Sequence, residues 1–291
     1  MASLPGNDEN AAPAPLLGDQ TPRILSCPPA ETSASAETVE LAASFGVHLD
    51  PWQQLVLHHA LGEKADGTWE ASQVGLTVPR QCGKGAVIEA RILAGIFLFM
   101  EPTIIYSSHD FSTSLEMLRR LEVLIGSSDE NAHMIKAITH HNEKEGIELI
   151  NGCRVAFRTR TKSGGRGWSA PCVILDEAMI LSWESLGALM PTLSAQPNSQ
   201  LWYVGSAVDQ QIHDKGFVFT SVRRRGIDGT DPSLMYAEWS CTEDDDPADP
   251  RSWAKANPGM GYRIRQDHIA AEYRALKHSP KTISVERFGC R

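Results

Sequence analysis

Residues 78 to 85 read Val78-Pro79-Arg80-Gln81-Cys82-Gly83-Lys84-Gly85, between an apolar run, Val74 to Val78, and a stretch, Ala86 to Phe99, that is apolar almost all round. A strand that runs through a glycine-bearing loop into a helix brings backbone N–H groups together at the helix N-terminus, where they and the helix dipole favour phosphate oxygens. In such a loop Gly83 would let the backbone approach closely and Lys84 would reach the β- and γ-phosphates. The stretch departs from the pattern GxxxxGK[ST] twice: Val78 takes the place of the first glycine and Gly85 that of the magnesium-binding hydroxyl. A Gly-Lys pair in a loop is common, so this segment alone leaves the phosphate reading open.

Downstream, Val173-Ile174-Leu175-Asp176-Glu177-Ala178 delivers two acids at the carboxyl end of an apolar run. Phosphoryl transfer needs one group to hold hydrated Mg²⁺ and another to polarise the attacking water, and Asp176 and Glu177 are of the right type for these tasks. A solvated strand end or a helix cap would read the same way in isolation. Short apolar runs at Val74 to Val78, Thr103 to Ser107, Cys172 to Leu175 and Leu201 to Val204 alternate with helical patterns, the sign of a parallel sheet covered by helices. Open parallel sheets bind ligands beyond the carboxyl ends of their strands, where the loop and the acid pair both fall. Phe111, Leu115, Leu118, Leu121 and Ile125 follow steps of three and four and predict a helix. Asn151-Gly152, between Ile147 to Ile150 and Arg154 to Phe157, predicts a hairpin with a two-residue turn. Further strand and helix patterns lie at Leu234 to Trp239 and Gln266 to Lys277, with a helix-like stretch around Val208 to Arg225.

Residues 1 to 50 carry seven acids against Arg23 alone, so most of the net charge of −9 sits there, and 29 acids face 26 bases over the rest. A nearly balanced body gives no positive support for nucleic-acid binding, although a local basic surface would suffice for it. The six cysteines, at 27, 82, 153, 172, 241 and 290, show no zinc-ligand spacing and read as reduced thiols of a cytosolic protein. The longest oily run, Ile92 to Met100, is too short to cross a bilayer, and no targeting pattern opens the chain. Residues 1 to 40, rich in Ala, Pro, Ser, Thr and Glu, read as a disordered arm. The carboxylates of Glu243 to Asp246 with Asp249 are of the kind a two-metal nuclease uses, but Pro247 and Pro250 mark a solvated loop before a helix.

In order along the chain, Pro51-Trp52-Gln53, Pro79 to Lys84, Ser163-Gly164-Gly165-Arg166-Gly167, Asp176-Glu177-Ala178, Gly205-Ser206-Ala207 and Ala256-Asn257-Pro258 resemble the large terminase subunits of tailed bacteriophages, especially those of siphophages. The resemblance implies the N-terminal ATPase domain of that family, in which an arginine inside the phosphate loop is a hallmark that Arg80 matches. It implies ATP and Mg²⁺ as cofactors, held by Arg80, Gln81, Cys82, Gly83, Lys84 and Gly85, with Asp176 on the metal and Glu177 as catalytic acid. Gln53 is then the reader of the adenine edge, Ser206 part of a motif that senses the γ-phosphate, and Arg166 the finger presented to a neighbouring subunit, with Arg158 and Arg160 as rivals. Double-stranded DNA, a portal protein and a small terminase subunit are the implied partners of a homo-oligomeric ring. The implied setting is the host cytoplasm during infection, outside the mature virion and with no membrane association.

The expected architecture is an α/β three-layer P-loop NTPase of the additional-strand, catalytic-glutamate type, with a mostly parallel sheet and a small C-terminal lid. Its expected divisions are the arm at 1–40, the ATPase core at 41–230 and a lid or linker at 231–291. Val285-Glu286-Arg287-Phe288-Gly289 resembles the segment after which such proteins continue into a nuclease domain, and nuclease activity is not assignable to these residues. The expected activity is ATP hydrolysis driving DNA into a procapsid; a helicase-like DNA-dependent ATPase and a non-catalytic nucleotide-binding module are the alternatives.

Overall fold

Successive side chains of a strand point to opposite faces of a sheet, so a strand covered on both sides must be apolar at every position. The central runs of this chain meet that demand. The computed structural model describes residues 16–141, 145–160, 169–209 and 216–289. Its strands are β1 (Ile24–Ser26), β2 (Thr32–Ser33), β3 (Gly62–Glu63), β4 (Gln73–Thr77), β5 (Thr103–Ser108), β6 (Ile135–Thr139), β7 (Gly146–Leu149), β8 (Arg154–Thr159), β9 (Cys172–Leu175), β10 (Gln200–Gly205) and β11 (Leu234–Glu238). Among the described residues nine of them form one sheet in the order β1-β11-β4-β10-β9-β5-β8-β7-β6, while β2 and β3 pair separately. From β11 to β8 every neighbour is parallel, and β1, β7 and β6 add antiparallel margins.

The faces separate by the period of two. Val74, Leu76, Ile104, Tyr106, Ile174, Trp202 and Val204 belong to one apolar cluster, and Ile105, Val173, Leu175, Leu201 and Tyr203 to another. The first packs under α1 (Ser35–Ser44), α2 (Pro51–Ala60), α3 (Lys84–Phe97) and α4 (Phe111–Ile125). The short α5 (Asp129–Ala132) follows α4, and the second cluster lies under α6 (Trp183–Ser194) and α7 (Phe217–Asp228). The outcome is the three-layer, mostly parallel P-loop architecture expected. Strand β10 stands between β4, which feeds the phosphate-type loop, and β9, which carries the acid pair, and this is the additional strand.

Helix α3 is buried nearly all round because it crosses the sheet centre. Its Arg91, fully buried, forks onto Glu101 through Nη2–Oε1 at 2.6 Å and Nη1–Oε2 at 2.9 Å, and its Nε donates to Gln200 Oε1. The same Gln200 oxygen accepts from Trp202 Nε1, and its amide donates to Ala60 and Ala71 carbonyls. This polar knot ties α2, α3 and β10 together behind the loop.

Two divisions drawn from composition do not hold. From Leu16 onward the supposed arm is ordered: β1 zips antiparallel onto β11, Gly18 N donates to Met260 O, and Arg23 forms an ion pair with the buried Glu238 at 2.7 Å. Backbone hydrogen bonds and one buried charge do here what large apolar side chains do elsewhere, so poor hydrophobicity was misleading. The boundary at 230/231 cuts through the sheet, since β11 pairs parallel with β4. Beyond it, α8 (Pro250–Ala256), α9 (Gln266–Leu276) and α10 (Pro280–Arg287) contribute Trp253, Ile269 and Ile283 to the main core, joined by Phe288 just past α10. The turn at Asn151-Gly152 is also longer than expected, four residues between β7 and β8. The Asn151 amide donates to Ile96 O at the end of α3 while its Oδ1 accepts from Cys153 N.

Candidate functional site

The loop leaves β4 at Thr77, where Val78 N donates to Gly205 O at the end of β10. Gly83 takes φ of +105°, and a Cβ there would press on Gln53 Nε2 and Arg263 Cδ, each at 2.8 Å, so glycine is required on both conformational and steric grounds. Gln81 also adopts positive φ, 63°, as does Glu177 of the acid pair, 52°. Non-glycine residues held in the left-handed region cost about 1–3 kcal/mol each and cluster where geometry serves a site.

Beyond the loop opens a cleft of about 610 Å³ lined by Gln81, Gly83, Lys84, Gly85, Tyr106 and Asp176, with Ser112, Thr113, Glu116, Met117 and Arg120 of α4 and with Arg263. The loop lysine and the strand-end aspartate, 92 residues apart in sequence, therefore face one cavity. Lys84 Nζ donates to the carbonyls of Val78 at 3.0 Å and Pro79 at 3.3 Å. Burial pulls its ammonium below the usual range, opposed by the charge of Asp176. Asp176 is oriented from two sides, Oδ2 accepting from Tyr106 Oη at 2.7 Å and Oδ1 from Glu177 N at 2.8 Å. Burial and the adjoining carboxylate push the Tyr106 phenol far up, keeping it a donor.

Glu177 is turned toward the β5–α4 connection, its Oε2 accepting from His109 N at 3.2 Å and, more weakly, from Asp110 N. Its carboxylate is not among the groups lining the cleft. Arg160, a rival for the finger, is spent on backbone: it donates to the carbonyls of Ser107, Asp176 and Glu177 and so braces the acid pair. Burial lowers its guanidinium to about 10, opposed by Asp176. Arg158 is likewise turned onto the Glu145 and Phe157 carbonyls. Arg166, with Ser163 to Gly167, lies outside the described residues.

Several of the residues read from sequence stand elsewhere than expected. Gln53 is fully buried with both ends engaged: Oε1 accepts from Asp50 N and Arg263, and Nε2 donates to Gly83 O at 2.8 Å. It caps α2 and props the loop, and presents no edge to a base. Trp52 beside it is core, packed edge-on against Trp239 at 5.2 Å. Arg80 is drawn out of the cleft to Glu286 of α10 at 2.8 Å. Cys82 does not line the cleft; its thiol is buried against Asn257, and burial raises it to about 11. Ser206 is buried one residue past β10, between the loop and the acid pair, and does not line the cleft.

Sequence reading missed Tyr106, Arg120 and Arg263, whose roles depend on tertiary position and carry no local signature. For a cation, the cleft offers the carboxylates of Asp176 and Glu116 and the hydroxyl-bearing Ser112 and Thr113, and among the described residues no group of three His, Cys, Asp or Glu could hold a metal. That donor set fits a hydrated Mg²⁺ held mainly by a bound phosphate ligand and water. The acidic loop is no rival: Asp245 pairs with Lys255, which holds it at about 2, and Asp249 caps α8. No helix of the described residues is long and apolar enough to cross a membrane.

No protein-family model matches the sequence, and no curated protein matches it. Solved structures do match in fold. The large terminase of bacteriophage HK97 aligns with a TM-score of 0.74 at 16% identity, over 89% of this chain and 56% of that one. The ATPase domain of the Thermus phage P74-26 large terminase gives 0.57 at 14%, over 89% and 98%. A large terminase from a thermophilic bacteriophage gives 0.51 at 9%, over 76% and 49%. This chain thus spans about half the length of the HK97 protein and nearly all of the P74-26 domain. At such identities the likeness is one of architecture, and the architecture is that of the large-terminase ATPase domain.

Proposed function

We propose that the cleft binds ATP and that the chain hydrolyses it as the motor of viral genome packaging, moving double-stranded DNA into a procapsid. The observation that carries this reading is the convergence of Lys84 and Asp176 on one cavity at the N-terminus of α3. Lys84 exchanges its Val78 and Pro79 carbonyls for phosphate oxygens, and the first N–H groups of α3 with the helix dipole add to the pull. Asp176, fixed by Tyr106, holds a hydrated Mg²⁺ whose chemistry is to neutralise charge on the phosphates. Glu177 accepts the proton of the attacking water once its carboxylate leaves His109 and Asp110. Arg166 completes a neighbour's site in a homo-oligomeric ring, and the portal protein and small terminase subunit are the partners that fit the role. The setting that goes with it is the host cytoplasm.

The withdrawn Glu177 carboxylate favours a second reading, a module that binds nucleotide without turning it over. Mg²⁺-dependent ATP turnover by the purified chain at high concentration, with nucleotide binding followed in parallel, separates the two. Motor chemistry predicts turnover lost in Glu177→Gln with binding retained, and both lost in Lys84→Ala. Binding without turnover in the wild type, even when docked on a portal, selects the module and sinks the hydrolytic mechanism.

A further inference from the structure

A Cβ built on Gly85, the position at which a phosphate loop usually carries its metal-binding hydroxyl, would stand 3.1 Å from Nη1 of Arg120, 3.4 Å from Nη2 and 3.5 Å from Cζ. The guanidinium therefore lies against the face of Gly85 from which a serine or threonine side chain would project, and would have to give way by a few tenths of an ångström to admit one. Arg120 comes from α4 and is clamped to α3 one turn beyond Gly85, Nη2 lying 2.5 Å from Oε1 of Glu89, whose side chain is 5% exposed. The Arg120 side chain is 48% exposed and lines the cleft with Lys84 and Asp176. One side of its fork makes an ion pair with a buried acid, and the half-exposed side chain, with five N–H donors, borders the cavity.

We infer that Arg120 is a further phosphate-contacting residue of this cleft, a cation that takes the place of the loop's missing hydroxyl and recognises the outer phosphates of a nucleoside di- or triphosphate. This rests on the nucleotide reading above and deepens it. A phosphate reached by Lys84 lies at the N-terminus of α3, beside the Gly85 backbone and so beside this guanidinium. A planar fork held on one edge matches two phosphate oxygens in a way that the single point charge of Lys84 does not. The absence of a side chain at Gly85 and the presence of Arg120, 35 residues later, become one feature: the glycine clears the space that the arginine uses.

Displacement of a fluorescent ATP analogue by ATP, ADP and AMP tests it, with Mg²⁺ and with chelator. Arg120→Ala is expected to weaken ATP and ADP about tenfold or more, the scale of one charge-assisted hydrogen bond, and to leave AMP unchanged. Arg120→Lys, which keeps the charge and a partner for Glu89, should recover part of the loss and serves if the alanine variant does not fold. Gly85→Ser should weaken ATP and ADP in the wild type and add nothing to Arg120→Ala. An equal loss for all three nucleotides, or additive effects of the two substitutions, overturns the assignment. A wild-type chain that binds none of them overturns the nucleotide reading beneath it.

Discussion

Replacing Glu101 by glutamine, a change of one atom, should cost about 3 kcal/mol of stability. Arg91 has 0% of its side chain exposed and Glu101 7%, and their two N–O separations are 2.6 and 2.9 Å. Removing one partner of such a pair leaves a buried charge uncompensated, typically about 3–5 kcal/mol. Glutamine keeps one acceptor oxygen, and Gln200 and the rings of Trp69 and Phe99, 5.7 and 5.4 Å from the guanidinium carbon, still face the cation, so the low end applies. Against a total of roughly 5–15 kcal/mol the loss is large, and at roughly 2–4 °C per kcal/mol it lowers the melting temperature by about 6–12 °C. Urea titration followed by circular dichroism reads the change directly. Arg91→Met combined with Glu101→Leu should cost less than Glu101→Gln, because it strands no charge. A loss below about 1 kcal/mol in Glu101→Gln, or a double variant worse than the single, would refute the reasoning.

Tyr106→Phe removes the hydroxyl that orients Asp176 and should cost about 1.5 kcal/mol in thermal unfolding while weakening the Mg²⁺ dependence of nucleotide binding. Glu286→Gln should leave stability within about 1 kcal/mol and tighten ATP binding up to about fivefold in the same displacement assay, since it frees Arg80. For Glu238, burial alone would raise the carboxyl, but hydrogen bonds and charge from Arg223, with Ser240 and Tyr236, leave it lowered from 4.5. A depressed acid contributes stability that is present above its unfolded value and is lost as pH falls through the folded one. Acid titration of stability should therefore steepen below about pH 4.5 in the wild type and flatten in Glu238→Gln; an unchanged profile would remove Glu238 from the account.

The sheet was legible because both its faces are buried: Cys172 to Leu175 and Leu201 to Val204 are apolar at every step, as a doubly covered strand must be. Helix α4 was legible to the residue, Phe111 to Ile125, from its steps of three and four. Strand β1 was not, because three residues held by edge hydrogen bonds leave no pattern in composition. At Gln53 the alternative of an ordinary helix start after Pro51 is the one the structure bears out: Asp50-x-x-Gln53 is a capping box and is used as one. In the site, Lys84 and Asp176 could be paired because the loop that leads to Lys84 and the acid pair both follow the carboxyl ends of strands. Arg120 and Arg263 could not, since nothing in a helix face or a loop announces which cavity it will meet.

The loop is gripped from outside by the segment expected as a lid or linker. Arg287 donates to Arg80 O and Gln81 Oε1 and forms an ion pair with Glu272, Cys82 meets Asn257, and a Cβ on Gly259 would touch the Cys82 backbone. These contacts differ in what a nucleotide can disturb. Arg287 is 5% exposed, so its bonds to the Arg80 carbonyl and the Gln81 side chain are costly to break, whereas Arg80 and Glu286, at 57% and 35%, form a solvent-screened pair worth at most about 1 kcal/mol. A charge-assisted bond from Arg80 to a phosphate oxygen, about 1.5–3 kcal/mol, exceeds that pair and falls short of the two bonds of the same kind that Arg287 makes to the loop together. On the proposed nucleotide reading, phosphate binding would be strong enough to draw the Arg80 side chain away from α10 and too weak to detach the loop backbone from it. The cleft would then gain its arginine without unfolding its support, and α10 would sense the exchange through Glu286, the partner it loses.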